Sequence, residues 1–534
     1  MEVANKWVID CLENHEHCRS PSTISQSHEP TLLPARVIKI LDDDNLRLVS
    51  GASPERYTIL SYCWGGTQKF SSTIDTIKSR RAGFKTCQLP QTLQDAVKLT
   101  RSLGLEYLWI DVLCIIQDSP NDKEIELPKM PSYYRNAYLT ICAGGGSCET
   151  GFLATKIARC EDHPNTGIPK DLLNMPYFGP NGEIDDIFFR EESPYSLSDE
   201  PVSKRAWTFQ ERILSPRVLT YGSRMMWQCT TTQKSDGGVQ DWSFDSRSAS
   251  GREIKLGLRE MQRHLSLEGK NNVTRQIPAE NHSLWYKAVE EFCERDMTYP
   301  QDKFRAIAAL ANEFAVVLKD DYVAGLWKAD FFRGLLWSTW PSLDVRKPDK
   351  WRAPSWSWAS VESSVTYSRL PTLHATELAK VISIEVTPKS KVFPYGEISA
   401  AAVEIEGPVF SFDIEVMADT LRKQYLMPEP QDSMEWRKLM MSPAKGHLGS
   451  NDDWTLQAQS VFLLLLVEPV SPDDDGVDGE GGGEDDISAR VGLLHGLVLT
   501  PLEDGTYERV SSFSKLRVKG YLNLCNQEET VRIV

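Results

Sequence analysis

The run from Tyr107 to Ser119, YLWIDVLCIIQDS, constrains this chain more than any other stretch. Apolar residues between Gly104 and the polar Gln117-Asp118-Ser119 read as a buried strand, about Glu106 to Asp111, and the turn that leaves it. A carboxylate inside such a run is costly to bury unless something pairs with it. Asp111 is therefore either a satisfied structural acid, capping the next turn or pairing with Arg205, or part of a site.

Its neighbours read as alternating strands and helices. Ala35 to Leu41 and Asn45 to Val49 form a two-stranded entry with Asp42-Asp43-Asp44 as the turn. Tyr57 to Tyr62 is a strand that runs into Cys63-Trp64-Gly65-Gly66, where the glycine pair turns the backbone sharply. Leu89-Pro90 opens a helix with a stripe at Leu93, Ala96, Val97 and Leu103, and Gly104 ends it. Residues 121–137 read as helical but split by Pro128 and Pro131. Tyr138 to Cys142 is a further strand, followed by Gly144-Gly145-Gly146. This order predicts βαβ units and a parallel sheet, hence an α/β fold with a parallel or mixed sheet and flanking helices. Ligands of such sheets bind beyond the carboxyl ends of the strands. Trp64-Gly65-Gly66, Asp111 and the Gly144 triplet are expected there.

Further on, residues 151–200 read as an irregular insertion rich in Pro, Gly and acids. Val202 to Arg212 is helical, with Arg205 and the Gln210-Glu211 pair displaying charge beside Trp207. Arg217 to Tyr221 and Met225 to Cys229 form a strand pair after Ser215-Pro216. Residues 235–280 are polar and read as a surface excursion, and helical patterning resumes at His282 to Glu294 and Gln301 to Phe314. The Trp-rich RAPSWSWAS, residues 352–360, opens a mainly β region. Asp473 to Asp486 is too polar to pack and reads as a loop.

Composition bounds the function. A chain of 534 residues exceeds one core, so two or three domains are expected. The net charge of -16 argues against general affinity for nucleic acid or an anionic membrane. Apolar runs fall short of a membrane span, and the first residues lack the pattern of a secretory signal. The eleven scattered cysteines read as reduced thiols in a cytoplasmic setting. Trp7, Cys11, His15 and Cys18 share one helical face. Cys and His suit zinc, but no CxxC follows, and a fourth ligand would have to come from far along the chain. A packed face is preferred, so no metal and no cofactor are expected. There is no GxxxxGK[ST], GxSxG or HExxH, and the Gly144 triplet lacks dinucleotide spacing. Cys63 and Cys114 flank the crevice without a nameable His partner.

The blocks YTILSYCWGG, LPQTLQDAVKLTRSLGLEYLWIDVLCIIQDS, MPSYYRNAYLTICA and KRAWTFQERILSPRVLTYG together resemble the heterokaryon incompatibility (HET) domain of filamentous fungi. They span about residues 57–222. The layout that follows is an N-terminal helix and linker at 1–34 and a HET-type domain at 35–230 with its insertion at 151–200. A mostly helical region at 231–350 and a mainly β region at 351–534, with the loop at 473–486, complete it. The resemblance implies nonself recognition ending in growth arrest or programmed cell death, and a remote similarity to TIR-type α/β domains. Some of those assemble as signalling platforms through protein partners or self-association, and some cleave NAD. Both versions stand at this point, with NAD as the candidate substrate of the second, and an inactive homologue is a third. Cleavage of a glycosidic bond needs a carboxylate to stabilise an oxocarbenium-like centre. The catalytic candidates are Asp111 and Glu126, the latter at the family's acidic position four residues before Met130. Lys123 replaces the family's usual aromatic, and Pro128 and Pro131 interrupt the helix around Glu126. Trp64, Gly65, Gly66, Arg205 and Glu211 are the candidate ligand-binding residues.

Overall fold

The computed structural model describes residues 2–15, 18, 31–66, 68, 70–153, 172–178, 184–190, 200–235, 246–271, 281–339, 346–367, 370–371, 373, 375–411, 461–469, 491–519 and 528–534. The loop expected at 473–486 lies outside them. The chain divides into two compact units, Met1–Arg259 and Glu260–Val534. Among the described residues no helix is long and apolar enough to cross a membrane.

The first unit contains helix α1 (Glu2–Asn14), strands β1 (Arg36–Ile40), β2 (Asn45–Ser50) and β3 (Tyr57–Ser61), helix α2 (Ile77–Ala82) and strand β4 (Phe84–Lys85). Helix α3 (Gln91–Ser102), strand β5 (Tyr107–Trp109), and helices α4 (Asp111–Cys114), α5 (Pro120–Glu126) and α6 (Met130–Asn136) follow. Strand β6 (Leu139–Ala143), helix α7 (Ala206–Leu214), and strands β7 (Arg217–Tyr221), β8 (Met225–Cys229) and β9 (Gln233–Ser235) complete the series, and helix α8 (Ser246–Asn271) runs across the boundary at Arg259.

The nine strands form one sheet in the order β9-β8-β7-β6-β3-β5-β1-β2-β4. β5, β3, β6 and β7 are mutually parallel, whereas β1 runs antiparallel to β5 and β8 antiparallel to β7. The fold class is thus α/β with a mixed sheet, as expected. In chain order the parallel strands sit second, first, third, fourth, so the direction of winding reverses between β3 and β6. Every residue of β3 and β6 is buried, which explains why both read as continuous runs of apolar and β-favouring residues.

Local chemistry explains most boundaries. Asp42 Oδ1 accepts the Asp44 and Asn45 amides at 2.9 Å each, closing the β1–β2 turn. Pro90 precedes α3, and Gly104 ends it with φ +72°. Pro128 and Pro131 split the helical stretch, leaving a 3-10 turn at Leu127–Lys129 between α5 and α6. Asp111 does not end a strand; it opens the helical turn α4, where its Oδ1 accepts the Val112 amide at 2.7 Å. Within the stretch read as an irregular insertion, Leu172–Phe178 and Ile184–Arg190 pair as an antiparallel hairpin. The polar stretch after residue 235 contains α8, whose Ile254, Leu258 and Met261 are buried.

The second unit has helices Asn281–Cys293 and Ala308–Leu318 and a seven-stranded sheet. Five of its strands pair in a ring: Ile398–Ser411, Val461–Pro469, Val491–Pro501, Tyr507–Lys519 and Glu528–Ile533, which returns to the first. The closing contact is a single pair, Tyr507 with Ile533. Trp356 and Trp358 of RAPSWSWAS are fully buried. The indoles of Trp358 and Trp285 both donate to Gly325 O at 2.9 Å. Gly325 has φ +100°, and a Cβ there would lie 2.6 Å from Trp358 Nε1. These tryptophans therefore serve core packing.

Candidate functional site

β3 ends at Ser61, and its extension carries Tyr62, Cys63 and Trp64 across the carboxyl edge of the sheet. β5 leads into Asp111 beside it, and α7 brings Arg205, at its N-terminus, and Glu211 to the same edge. These groups form one polar cluster. The Trp64 indole donates to Asp111 Oδ2 at 3.0 Å, so both carboxylate oxygens accept a hydrogen bond. Ser61 Oγ donates to Glu211 Oε2 at 2.6 Å. Arg205 donates from its guanidinium to Tyr62 O. The buried Tyr62 hydroxyl stands beside Asp111 but makes no hydrogen bond of good geometry among the described residues.

The electrostatics of the cluster follow from two acids, one cation and little water. Burial pushes the Asp111 carboxyl up, opposed by Arg205, the Val112 amide, Trp64 and Tyr62. Burial likewise raises Glu211, opposed first by Ser61 and then by Arg205, while the charge of Asp111 adds to the rise. Tyr134, from α6, reaches the same place: its hydroxyl donates to Leu60 O at 3.3 Å, and burial followed by the charges of Glu211 and Asp111 holds it well above the ordinary phenol. Arg205 is thus the shared counter-charge that opposes the effect of burial on both carboxyls.

The glycines beside the cluster are demanded by close approach. Gly65 (φ +74°) lies against Ser147, where an added Cβ would come within 2.5 Å of the serine Cβ. Gly66 has φ +130° and open space around it. An added Cβ on Gly144 would meet Gly222 Cα at 2.6 Å and Glu200 Oε2 at 2.7 Å. Glu200 Oε1 accepts the Ser223 amide at 2.6 Å. The β3–β6 switch point, where ligands of such sheets bind, is thus lined by the chain's own Gly65 and Ser147 loops.

Of the residues singled out from sequence, Asp111, Trp64, Arg205 and Glu211 come together, with Gly65 and Gly66 at the rim. Glu126 does not join them. It is 3% exposed rather than solvated, and its oxygens accept Lys129 Nζ and the Tyr133 hydroxyl, each at 2.9 Å. Trp109 packs between Tyr133 and Tyr134, at ring-centroid distances of 5.7 and 6.2 Å, and so separates the two sets. Cys63 and Cys114 are buried thiols raised above the ordinary range by burial, Cys114 to about 12, which suits packing rather than nucleophilic chemistry. Ser61, Tyr62 and Tyr134 were not foreseen as site residues, although all three lie inside the conspicuous sequence blocks.

An α/β unit with a parallel-centred sheet and a part-buried polar cluster of Arg205 and two carboxyls at its carboxyl edge defines the class of domain. Residues 57–211 match the family model described as Heterokaryon incompatibility protein (HET), so the chain carries a HET domain there. The matched span begins with β3 and ends on Glu211, enclosing the whole cluster. No curated protein and no solved structure matches the chain.

Proposed function

We infer that this protein acts in heterokaryon incompatibility, its HET domain turning recognition of a nonself partner into growth arrest or programmed cell death. The observation that carries this reading is that Ser61, Tyr62, Trp64, Asp111, Tyr134, Arg205 and Glu211, all within the HET match, converge on one largely buried cluster. Such a cluster, with hydrogen bonds already committed and both acids raised by burial, serves best as the internal fastening of a cytoplasmic signalling platform that engages a protein partner or a second copy. The test is induced expression of the full chain in a filamentous fungus. Hyphal arrest is expected; normal growth with the intact protein abundant would contradict the reading.

A second reading has one observation in its favour. The Tyr62 hydroxyl and the Asp111 carboxyl stand beside each other beyond the carboxyl end of a parallel strand, where a TIR-like domain would cleave NAD. In that reading Asp111 is the essential acid. Glu126 is the weaker candidate because Lys129 and Tyr133 already occupy it. Nicotinamide release by concentrated protein, abolished in Asp111→Asn, supports it; no release from wild type that arrests growth rejects it.

A further inference from the structure

Two ends of the first unit, more than two hundred residues apart in sequence, bring four soft donor atoms together. Cys11 and His15 stand one helical turn apart, Cys18 follows, and Cys229 closes β8. The sulfurs of the three cysteines and a ring nitrogen of His15 all lie within 4.8 Å of one another. Cys11 and Cys229 are fully buried and Cys18 is 9% exposed. Sulfurs bound to one tetrahedral zinc at about 2.3 Å stand about 3.8 Å apart, so small side-chain adjustments suffice. The ligand missing from the N-terminal Cys-His-Cys pattern is supplied by the sheet.

The surroundings are those of a metal site. His15 turns Nδ1 to Cys229 Sγ, 3.4 Å away, and Nε2 towards Asp10 Oδ2 at 3.8 Å. Asp10 is itself held by Lys234 Nζ at 2.6 Å and Asn14 Nδ2 at 2.8 Å. A carboxylate behind the second ring nitrogen fixes the tautomer and orientation of a ligating histidine. The Thr232 amide donates to Cys229 Sγ at 3.3 Å, and Thr231 Oγ1 lies 3.4 Å from Cys18 Sγ. Three thiolates and a divalent ion leave a net charge of -1. Two buried cations are within Coulombic reach of it: Arg217 near Cys11, and Lys255 near Cys229 and Cys18. The Lys255 ammonium is buried with no hydrogen-bond partner among the described residues.

We propose that Cys11, His15, Cys18 and Cys229 hold one zinc ion in a closed structural site that fastens α1 to the end of β8. Four protein ligands leave no open position for substrate, so the role is to bind the N-terminal helix to the sheet rather than to catalyse. Softness of the donors favours zinc over calcium or magnesium.

The test uses the full chain purified without chelator. Elemental analysis and native mass spectrometry should find one zinc per chain, retained in Cys87→Ser, whose thiol is exposed, and lost in Cys11→Ser and Cys229→Ser. Replacing the ion in wild type with Co2+ should produce the visible bands of a tetrahedral centre and thiolate-to-cobalt charge transfer. That readout stays decisive where a serine variant fails to fold. Chelation should lower the melting temperature, and zinc should restore it. A cooperatively folding wild type without stoichiometric metal and without cobalt bands would overturn the proposal. So would a disulfide joining two of the three cysteines in a peptide map, or unchanged metal content in both serine variants.

Discussion

At the residue scale, Arg205 is the group whose loss the structure makes most consequential, because two raised carboxyls depend on it. Arg205→Gln removes the nearby cation from both and the donor from Tyr62 O, and should cost about 1 kcal/mol, read as a lower denaturant midpoint. Glu211 gives a pH test with a definite sign. Burial raises its folded pKa above the unfolded value, so the native state binds more protons between the two. Stability therefore falls as pH rises through that window. In Glu211→Gln the melting temperature should decline less than in wild type from about pH 4 towards neutrality. Asp111, raised in the same direction, keeps part of the slope. An identical decline would contradict the assignment of burial as the dominant influence on Glu211. Asp111 was legible as a costly acid in an apolar run. Arg205 was named as a possible partner, but the hydrogen bond from Trp64 was not foreseen, because Trp64 lies 47 positions away and only the sheet brings it near.

At the scale of elements, the strands around Tyr57, Tyr107 and Leu139 could be read because both faces are buried and their composition says so. Asp111–Cys114 was harder. Its apolar composition suits a turn leaving a strand as well as one turn of helix, and the backbone bonds from Cys114 N to Ile110 O and from Ile115 N to Asp111 O make it the latter. The helix Ser246–Asn271 was hidden for the opposite reason: three buried apolar positions are diluted among polar ones. The burial of Glu126 was not legible either, because nothing in its own helix reveals that Tyr133 covers it. Asp95 also escaped notice. This buried acid on α3 accepts the Phe152 and Leu153 amides at 2.8 and 2.9 Å and clasps the loop that follows β6. Asp95→Ala orphans both amides and should cost about 2–4 kcal/mol. Limited proteolysis should then cut near residue 152 faster than in wild type; unchanged cleavage and stability would contradict the clasp.

At the scale of the molecule, the HET match covers residues 57–211, and the chain continues through a ring of strands and a tryptophan-rich core whose packing is internal to the second unit. We propose, from the size of that appended unit, that it restrains the HET domain; truncation beyond about residue 350 should then raise toxicity. The account turns on whether the HET domain, through its Arg205-centred cluster, drives growth arrest. The most direct measurement is hyphal extension after induction of the full wild-type chain and of Arg205→Gln, at protein abundances matched by immunoblot. The account predicts arrest with wild type and continued growth with the variant. Equal arrest by both, or uninterrupted growth with abundant wild type, would contradict it.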